Sequence, residues 1–216
     1  MQGKLIVIEG IDGSGKATQA ELLTQYLQKI GKNAMKITFP DYDSPACGAV
    51  KMYLDGEFGK KPDDVNAYAA GTLYAVDRFA SYKTNWGQAY ENGAIIIADR
   101  YVTSNAVHQM AKMFQDEWDN YLDWLYDFEY NKIGLPRPDS VIYLNIDEDL
   151  SCDLIEKRAQ NKDIHETDRE FMQRSREAAK YAAKHDCWFT INCTDGENLL
   201  PREEITNLII KALELC

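Results

Sequence analysis

Short apolar runs alternate along this chain with longer stretches in which apolar residues recur every three or four positions. The short runs have the length of buried strands, and each stretch between them is long enough for a helical crossover connection. This alternation predicts one α/β domain over residues 1–216, with a five-stranded parallel sheet and helices on both faces. The predicted strands are Leu5–Glu9, Ala34–Phe39, Ala94–Ala98, Ser140–Ile146 and Trp188–Asn192.

A glycine-rich turn joins the first predicted strand to the first predicted helix, which covers residues 19–27. A Gly-Lys pair at the start of a helix, after a strand and such a turn, is typical of a loop that binds the phosphates of ATP. Its backbone N–H groups and the helix N-terminus both face the anion. Lys16 then supplies a positive charge to the β- and γ-phosphates. The predicted loop residues are Gly10, Asp12, Gly13, Ser14, Gly15, Lys16, Ala17 and Thr18.

The loop departs from the usual phosphate-loop pattern at one position. That pattern has a serine or threonine directly after the lysine, whose hydroxyl binds Mg²⁺, and here the position holds Ala17. Thr18 lies one residue further, about 100° around the helix axis, so it does not replace the missing hydroxyl. We therefore expect carboxylates elsewhere, water and the substrate phosphates to hold the metal.

Polar residues follow the second and third predicted strands. Phe39, Pro40 and Tyr42 come after one of them, and Asp99 and Arg100 directly after the other. Because ligands of parallel sheets bind beyond the carboxyl ends of the strands, these residues are candidates for the same site. Asp99 is placed to face Mg²⁺, and Arg100 to bind a phosphate through two nitrogens.

Two further segments carry weaker signals. Tyr74 and Arg78 are four residues apart on a predicted helix, a pairing that suits a flat heterocycle but also ordinary core packing around an arginine stem. Residues 157–169 are polar and nearly without core residues. They form either a solvated loop between helices or a lid that closes over a phosphoryl-transfer site and excludes water.

Composition limits which binding partners and which cellular compartment we expect for this protein. The formal net charge of −11 argues against binding to nucleic acid or to an anionic membrane, although a few basic residues in one cleft can still attract a small phosphorylated substrate. Five cysteines without a C-x-x-C pair indicate reduced thiols rather than disulfides or a zinc site. No apolar run approaches the ~20 residues of a membrane span, so we expect a soluble, cytoplasmic protein.

Taken in order, these motifs resemble the thymidylate kinase family over nearly the whole chain. The resemblance implies the nucleoside monophosphate kinase variant of the P-loop α/β fold, usually as a homodimer. It also implies transfer of the γ-phosphoryl group of ATP to dTMP with Mg²⁺, giving dTDP and ADP. The motifs that carry it are the phosphate loop with Asp12, the Phe39-Pro40 pair, Tyr74 with Arg78, and residues 99–105 and 134–139.

The resemblance also implies roles for individual residues. Asp12 is expected to bind the 3′-hydroxyl of the sugar, and Arg100 the phosphate of dTMP, while Asp99 organises Mg²⁺. Tyr74 is expected to stack on thymine and Arg78 to reach its carbonyl. The remaining residues expected around dTMP are Phe39, Pro40, Tyr42, Ser104, Asn105 and His108, of which His108 stands where relatives carry a tyrosine that disfavours a 2′-hydroxyl.

The source of a catalytic cation stays open at this point. Some relatives carry an arginine inside the phosphate loop, where this chain has Gly13, and others carry it in the lid. We therefore expect the cation from Arg158, Lys162 or Arg169, with Arg158 first and also in contact with ATP. Two positions lack an expected arginine: Ile164 in the lid and Thr38 before the Phe-Pro pair.

Three other functions compete with this interpretation. The nearest is a kinase for another nucleotide such as dUMP, or for a deoxynucleoside. A GTPase-type switch needs an N-K-x-D motif, and the two N-K pairs of this chain, at residues 131–134 and 161–164, both lack the final aspartate. The substitutions at Ala17 and Thr38 leave a catalytically weak P-loop nucleotide-binding module as the third.

Overall fold

Five parallel strands form one sheet in the order β2-β3-β1-β4-β5. This computed structural model describes residues 2–147, 150, 151, 154, 156, 163–196 and 198–214. Each predicted strand is present within two residues of its expected ends, so the predicted sheet is confirmed. The strands are β1 Lys4–Gly10, β2 Ala34–Thr38, β3 Ile95–Asp99, β4 Ser140–Asn145 and β5 Phe189–Asn192.

Helices cover both faces of the sheet. Strand β1 shows why, because its side chains alternate between two cores: Leu5 and Val7 belong to one, and Ile6 and Ile8 to the other. The first core is completed by α5, α6 and α7, and the second by α1 and α8. The helices are α1 Lys16–Lys29, α2 Gly48–Leu54, α3 Ala67–Ser81, α4 Gly87–Glu91, α5 Thr103–Met110, α6 Trp118–Tyr126, α7 Arg169–His185 and α8 Arg202–Glu214.

Shorter helical turns fill the connections. Two π-helical turns extend α3 and α6, at Tyr82–Trp86 and Asp127–Lys132. Turns of 3-10 helix cover Pro45–Cys47, Pro62–Asp64 and Gln115–Glu117. No helix in the described part of the chain is both long and apolar enough to cross a membrane.

The turn from β1 into α1 has the conformation that a phosphate loop requires. Gly15, directly before the helix, has φ 86°, in the left-handed region where a side chain is strained. At Gly10 a Cβ atom would lie 2.5 Å from the Ser14 hydroxyl oxygen, so that position has no room for a side chain. The glycines therefore let the backbone turn tightly into the N-terminus of α1.

A third core lies beside the sheet, between α2 and α3. It contains Val50, Tyr53 and Leu54 of α2 and Ala70 of α3. Ile164 also belongs to it and is only 9% exposed. The second half of the segment 157–169, which the sequence indicated to be nearly without core residues, is therefore packed against the domain at Ile164.

Candidate active site

A cavity of about 820 Å³ opens at the carboxyl ends of β1, β2 and β3. The residues that the sequence placed at three separate positions meet here, because the ends of neighbouring parallel strands lie at one edge of the sheet. Thr38 also lines the cavity. The predicted site residues on its wall are Asp12, Phe39, Pro40, Tyr42, Tyr74, Arg78, Asp99, Arg100, Ser104, Asn105 and His108.

The phosphate loop lies beside the cavity and contributes Asp12 to its wall. Lys16, 7% exposed, donates from Nζ to the carbonyl oxygen of Ile11 at 2.8 Å. Burial and the nearby Arg100 lower the pKa of Lys16 to about 8, against the opposing effect of Asp12 and other carboxylates. The rest of the loop, Gly10, Gly13, Ser14, Gly15, Ala17 and Thr18, forms the strand-to-helix turn, in which Ala17 is exposed.

Arg100 joins the phosphate loop to the cavity. Its Nη2 atom is ion-paired with the carboxylate of Asp12, and its Nη1 atom lies 3.0 Å from Nε2 of His108. Burial alone raises the pKa of Asp12, but Arg100 and Lys16 outweigh burial and hold that pKa well below its usual value. Arg100 has φ 69°, an unfavourable conformation for a residue with a side chain, and such residues cluster at functional sites.

A buried acid, Glu129, holds Arg78 in place. Nε and Nη2 of Arg78 donate to the two carboxylate oxygens at 2.7 and 2.5 Å, and the side chains are 2% and 0% exposed. Asn105 adds a bond from Nδ2 to Glu129 at 3.0 Å and a second to the carbonyl of Gly71 at 3.1 Å. Arg78 and Asn105 are thereby fixed on the cavity wall before any ligand binds.

A second buried acid, Glu9, connects the two sides of the site. One carboxylate oxygen accepts from the backbone N–H of Gly10 at 2.9 Å. The other accepts from the hydroxyls of Thr103 at 2.9 Å and Ser104 at 2.7 Å, at the start of α5. Because the Ser104 hydrogen is directed to Glu9, only the lone pairs of this hydroxyl remain for a ligand.

Residues 163–167 form another part of the cavity wall. Oδ1 of Asp163 accepts from the backbone N–H groups of His165 and Glu166 at 2.8 and 3.0 Å. Burial, with a contribution from Asp12, raises the pKa of Asp163 to about 6. Arg158 and Lys162 lie outside the described residues, and Arg169 is exposed at the start of α7.

Gln109 stands out among the lining residues that the sequence did not single out. It is 0% exposed and borders the cavity. Neither its Nε2 nor its Oε1 has a hydrogen-bond partner among the described residues. A buried amide without a partner is costly, so this group is available to a ligand.

Sequence reasoning missed Glu9, Glu129, Gln109 and the wall at 163–167. The signal for Glu9 was an acid at the end of an apolar run, because buried acids are rare unless they are paired. Glu129 carried no such signal, because it stands among other acidic residues. Gln109 carried a weaker signal, a polar residue four positions after Asn105 on the same face of α5.

Comparisons with known proteins return members of one family. A family model described as thymidylate kinase matches residues 8–205 of the chain. A thymidylate kinase from Mycobacterium tuberculosis (strain ATCC 25618 / H37Rv) is 34% identical over 179 residues, covering 79% of this chain and 81% of the relative. A probable thymidylate kinase from Methanosphaera stadtmanae is 34% identical over 215 residues, covering 97% and 99%. A solved structure of thymidylate kinase from Candida albicans is similar with a TM-score of 0.73, covering 99% of this chain and 92% of that one. At 23% sequence identity, this similarity shows the fold alone.

Proposed function

Since this chain belongs to the thymidylate kinase family, we propose that it transfers the γ-phosphoryl group of ATP to dTMP, producing dTDP and ADP. The observation that carries the proposal is the ion pair of Asp12 with Arg100, which joins the phosphate loop to the cavity. Donor and acceptor phosphates would then meet between β1 and β3, where positioning and charge stabilisation are the main requirements of phosphoryl transfer.

ATP would bind through the backbone of the loop that precedes α1. Its tight turn and the helix N-terminus offer N–H groups and a partial positive charge to the phosphates. Lys16, at the first position of α1, would exchange its bond to the Ile11 carbonyl for the β- and γ-phosphate oxygens. There its positive charge would stabilise the transition state more than the bound ATP, because negative charge then spreads over the transferring group.

The acceptor phosphate would bind Arg100, whose guanidinium lies between the phosphate loop and His108. An arginine suits this role because its planar group donates two parallel hydrogen bonds to phosphate oxygens. Asp12 would accept from the 3′-hydroxyl of the sugar. His108 would lie against the sugar and disfavour a 2′-hydroxyl by its bulk.

The thymine ring would lie between Tyr74 and the wall formed by Arg78 and α5. Tyr74 offers an aromatic face, and Arg78 is held by Glu129 with its guanidinium on the cavity wall. Thymine presents a donor beside acceptors along its edge, and the carboxamide of Gln109 carries both a donor and an acceptor. Phe39, Pro40, Tyr42, Ser104 and Asn105 complete the wall around the nucleotide.

The residues present fit a Mg²⁺ ion. Asp99 is 6% exposed on the cavity wall, and its carboxylate is the kind of ligand that Mg²⁺ prefers. Ala17 supplies no hydroxyl, so Asp99, water and the nucleotide phosphates would hold the ion, an arrangement that Mg²⁺ commonly adopts. When bound, Mg²⁺ neutralises negative charge on the phosphates.

A further cation would come from the segment at 157–169, acting as a lid. Gly13 gives the phosphate loop no arginine, so Arg158 or Lys162 would stabilise charge on the transferring group, and Arg158 would also contact ATP. The nearby wall at 163–167 supports this arrangement, because it fixes the C-terminal end of the lid against the cavity.

The decisive experiment measures ADP release from ATP and Mg²⁺ with dTMP, dUMP and the other deoxynucleoside monophosphates. We expect dTMP to give the highest kcat/KM, with a control lacking any acceptor close to zero. Release no faster with dTMP than in that control would overturn the proposal. Preference for dUMP would make the chain a kinase for a different nucleotide, and binding of both nucleotides without turnover would make it a nucleotide-binding module.

The proposal extends to a cytoplasmic homodimer. On α3, Tyr68, Val76 and Phe79 are 41%, 52% and 39% exposed and recur at helical spacing, as expected of a helix that packs against a second copy. Light scattering of the wild type against Val76→Glu tests the dimer, and two monomeric samples would refute it. Three described cysteines, Cys47, Cys187 and Cys193, are free thiols, which suits a reducing compartment.

A further inference from the structure

One ring near the cavity, that of His165, contacts three separate helices. Its Nε2 atom lies 2.8 Å from the hydroxyl of Tyr53 on α2. Its ring stacks on His108 of α5, with centroids 5.4 Å apart and planes 22° apart. It also packs against Phe171 of α7 at 4.8 Å. His165 is 5% exposed, so these contacts enclose it almost completely.

Lys112 anchors this arrangement from the far side. Its Nζ donates to the Tyr53 hydroxyl at 2.8 Å and to the carbonyl of Val65 at 3.1 Å. Burial lowers the pKa of Lys112 to about 7. When Lys112 is charged its ammonium can only donate, so the Tyr53 oxygen accepts from Lys112, and the Tyr53 hydrogen is free to be donated to Nε2 of His165. The charged form of Lys112 thereby sets the direction of both hydrogen bonds.

The direction of these bonds defines the state of both histidines. Nε2 of His165 accepts from Tyr53, and Nε2 of His108 accepts from the Arg100 guanidinium, so each neutral ring carries its hydrogen on Nδ1. Burial lowers the pKa of His165 to about 3, with Lys112 adding to the effect. Burial and Arg100 lower the pKa of His108 well below its usual value. Two neutral rings can stack beside Arg100 without repelling it.

We propose that His165 is a positioning residue for the acceptor nucleotide, because its ring, anchored by Tyr53 and Lys112, holds His108 and through it Arg100 in the phosphate-binding orientation. The inference rests on the proposed function, in which Arg100 receives the acceptor phosphate. His165 acts on two parts of the cavity at once, since its backbone N–H also holds the carboxylate of Asp163. Its bond to Tyr53 therefore links α2 to both walls of the acceptor site.

The alternative is that these rings are only core packing. Packing and positioning differ in how much dTMP affinity depends on a single ring nitrogen or hydroxyl group. His165→Phe keeps a buried ring and removes the nitrogen, whereas Tyr53→Phe keeps the other ring and removes the hydroxyl. Both variants delete the Tyr53–His165 hydrogen bond, and Tyr53→Phe also removes an acceptor of Lys112. A positioning role therefore predicts weaker dTMP binding in each variant and no further defect when they are combined.

The experiment compares these two variants and their combination in dTMP binding and in steady-state kinetics. We expect each to raise the Kd and KM for dTMP by roughly three- to tenfold, the usual value of one hydrogen bond, with the KM for ATP changed less than about twofold. The double variant should have the same Kd and KM for dTMP as the single variant that binds dTMP more weakly. Tyr121→Phe is the control, because Tyr121 is equally buried and its hydroxyl has no partner among the described residues.

Each outcome decides the inference. Wild-type dTMP affinity in Tyr53→Phe, in an enzyme whose parent is active, would overturn it even if His165→Phe failed to fold. Equal losses for dTMP and ATP, or additive losses in the double variant, would also overturn it by indicating general damage. A wild-type protein that neither binds dTMP nor releases ADP with it would overturn the proposed function, and this inference with it.

Discussion

Replacing Glu129 by glutamine is the most informative single change to the base-binding wall. Glu129 receives two hydrogen bonds from Arg78 and one from Asn105, and both members of the ion pair are almost fully buried. The guanidinium stays charged at any accessible pH, so Glu129→Gln leaves an uncompensated positive charge in the core. It also turns one amide nitrogen towards groups that can only donate.

The magnitude follows from this burial. Removing one partner of a buried ion pair costs about 3–5 kcal/mol, whereas an exposed pair contributes little. For a protein of this size, each kcal/mol shifts the melting temperature by about 2–4 °C, so we expect Glu129→Gln to lower it by roughly 6–20 °C. We also expect a higher KM for dTMP, because Arg78 is no longer held on the cavity wall, and a nearly unchanged KM for ATP.

Thermal unfolding and steady-state kinetics of the same samples provide the measurement. Asp127→Asn is the matched control: it lies two residues earlier, undergoes the same change from carboxylate to amide, and loses an exposed pair with Lys132 whose side chains are 48% and 68% exposed. Its melting temperature should match the wild type. If Glu129→Gln melts within 2 °C of that control, or raises both KM values equally, the reasoning about Arg78 is refuted.

Three other changes test the donor site, the protonation of the cavity and the lid. Lys16→Ala should lower kcat by about 10²–10³, and a near-normal kcat would remove the phosphate loop from the mechanism. Burial raises the pKa of Asp163 to about 6. Its protonated carboxyl group therefore stabilises the fold below about pH 4, and this stabilisation is lost as the pH rises through 6. Asp163→Asn should therefore melt above the wild type at pH 7.5 but not at pH 4, and the reverse order would contradict this pKa. Arg158→Ala or Lys162→Ala should lower kcat more than binding, with Arg169→Ala for comparison, and full kcat in all three would refute the lid proposal.

The fold was predictable because its signals are local. Each strand is a short apolar run, and the ends of α1 are marked by Gly15 and by Gly31, which has φ 78° after the last helical turn. The location of the first candidate site residues on the cavity wall was predictable for the same reason. Asp99 ends a buried strand and Arg100 follows it, and parallel strands bring their carboxyl ends together whatever the rest of the chain does.

The residues that hold the site rigid were not predictable, because their partners are distant in sequence. Glu129 pairs with Arg78 across 51 residues, and Glu9 bonds to Thr103 across 94. Before the chain folds, nothing distinguishes Glu129 from its many acidic neighbours on a surface helix. Ile164 was a hydrophobic residue in a polar stretch, and only its packing against α2 shows that this stretch returns to the domain.

The distribution of charge inside the cavity explains how a chain with a net charge of −11 can bind two anionic nucleotides. Both arginines on the described wall are paired with an acid: Arg78 with Glu129, and Arg100 with Asp12. These acids hold the guanidiniums at fixed positions, but they differ in accessibility, because Glu129 is fully buried whereas Asp12 is 17% exposed. A phosphate can therefore compete for Arg100 but not for Arg78. This difference supports the proposed division of roles, in which Arg78 would contact the neutral base and Arg100 would exchange Asp12 for a phosphate.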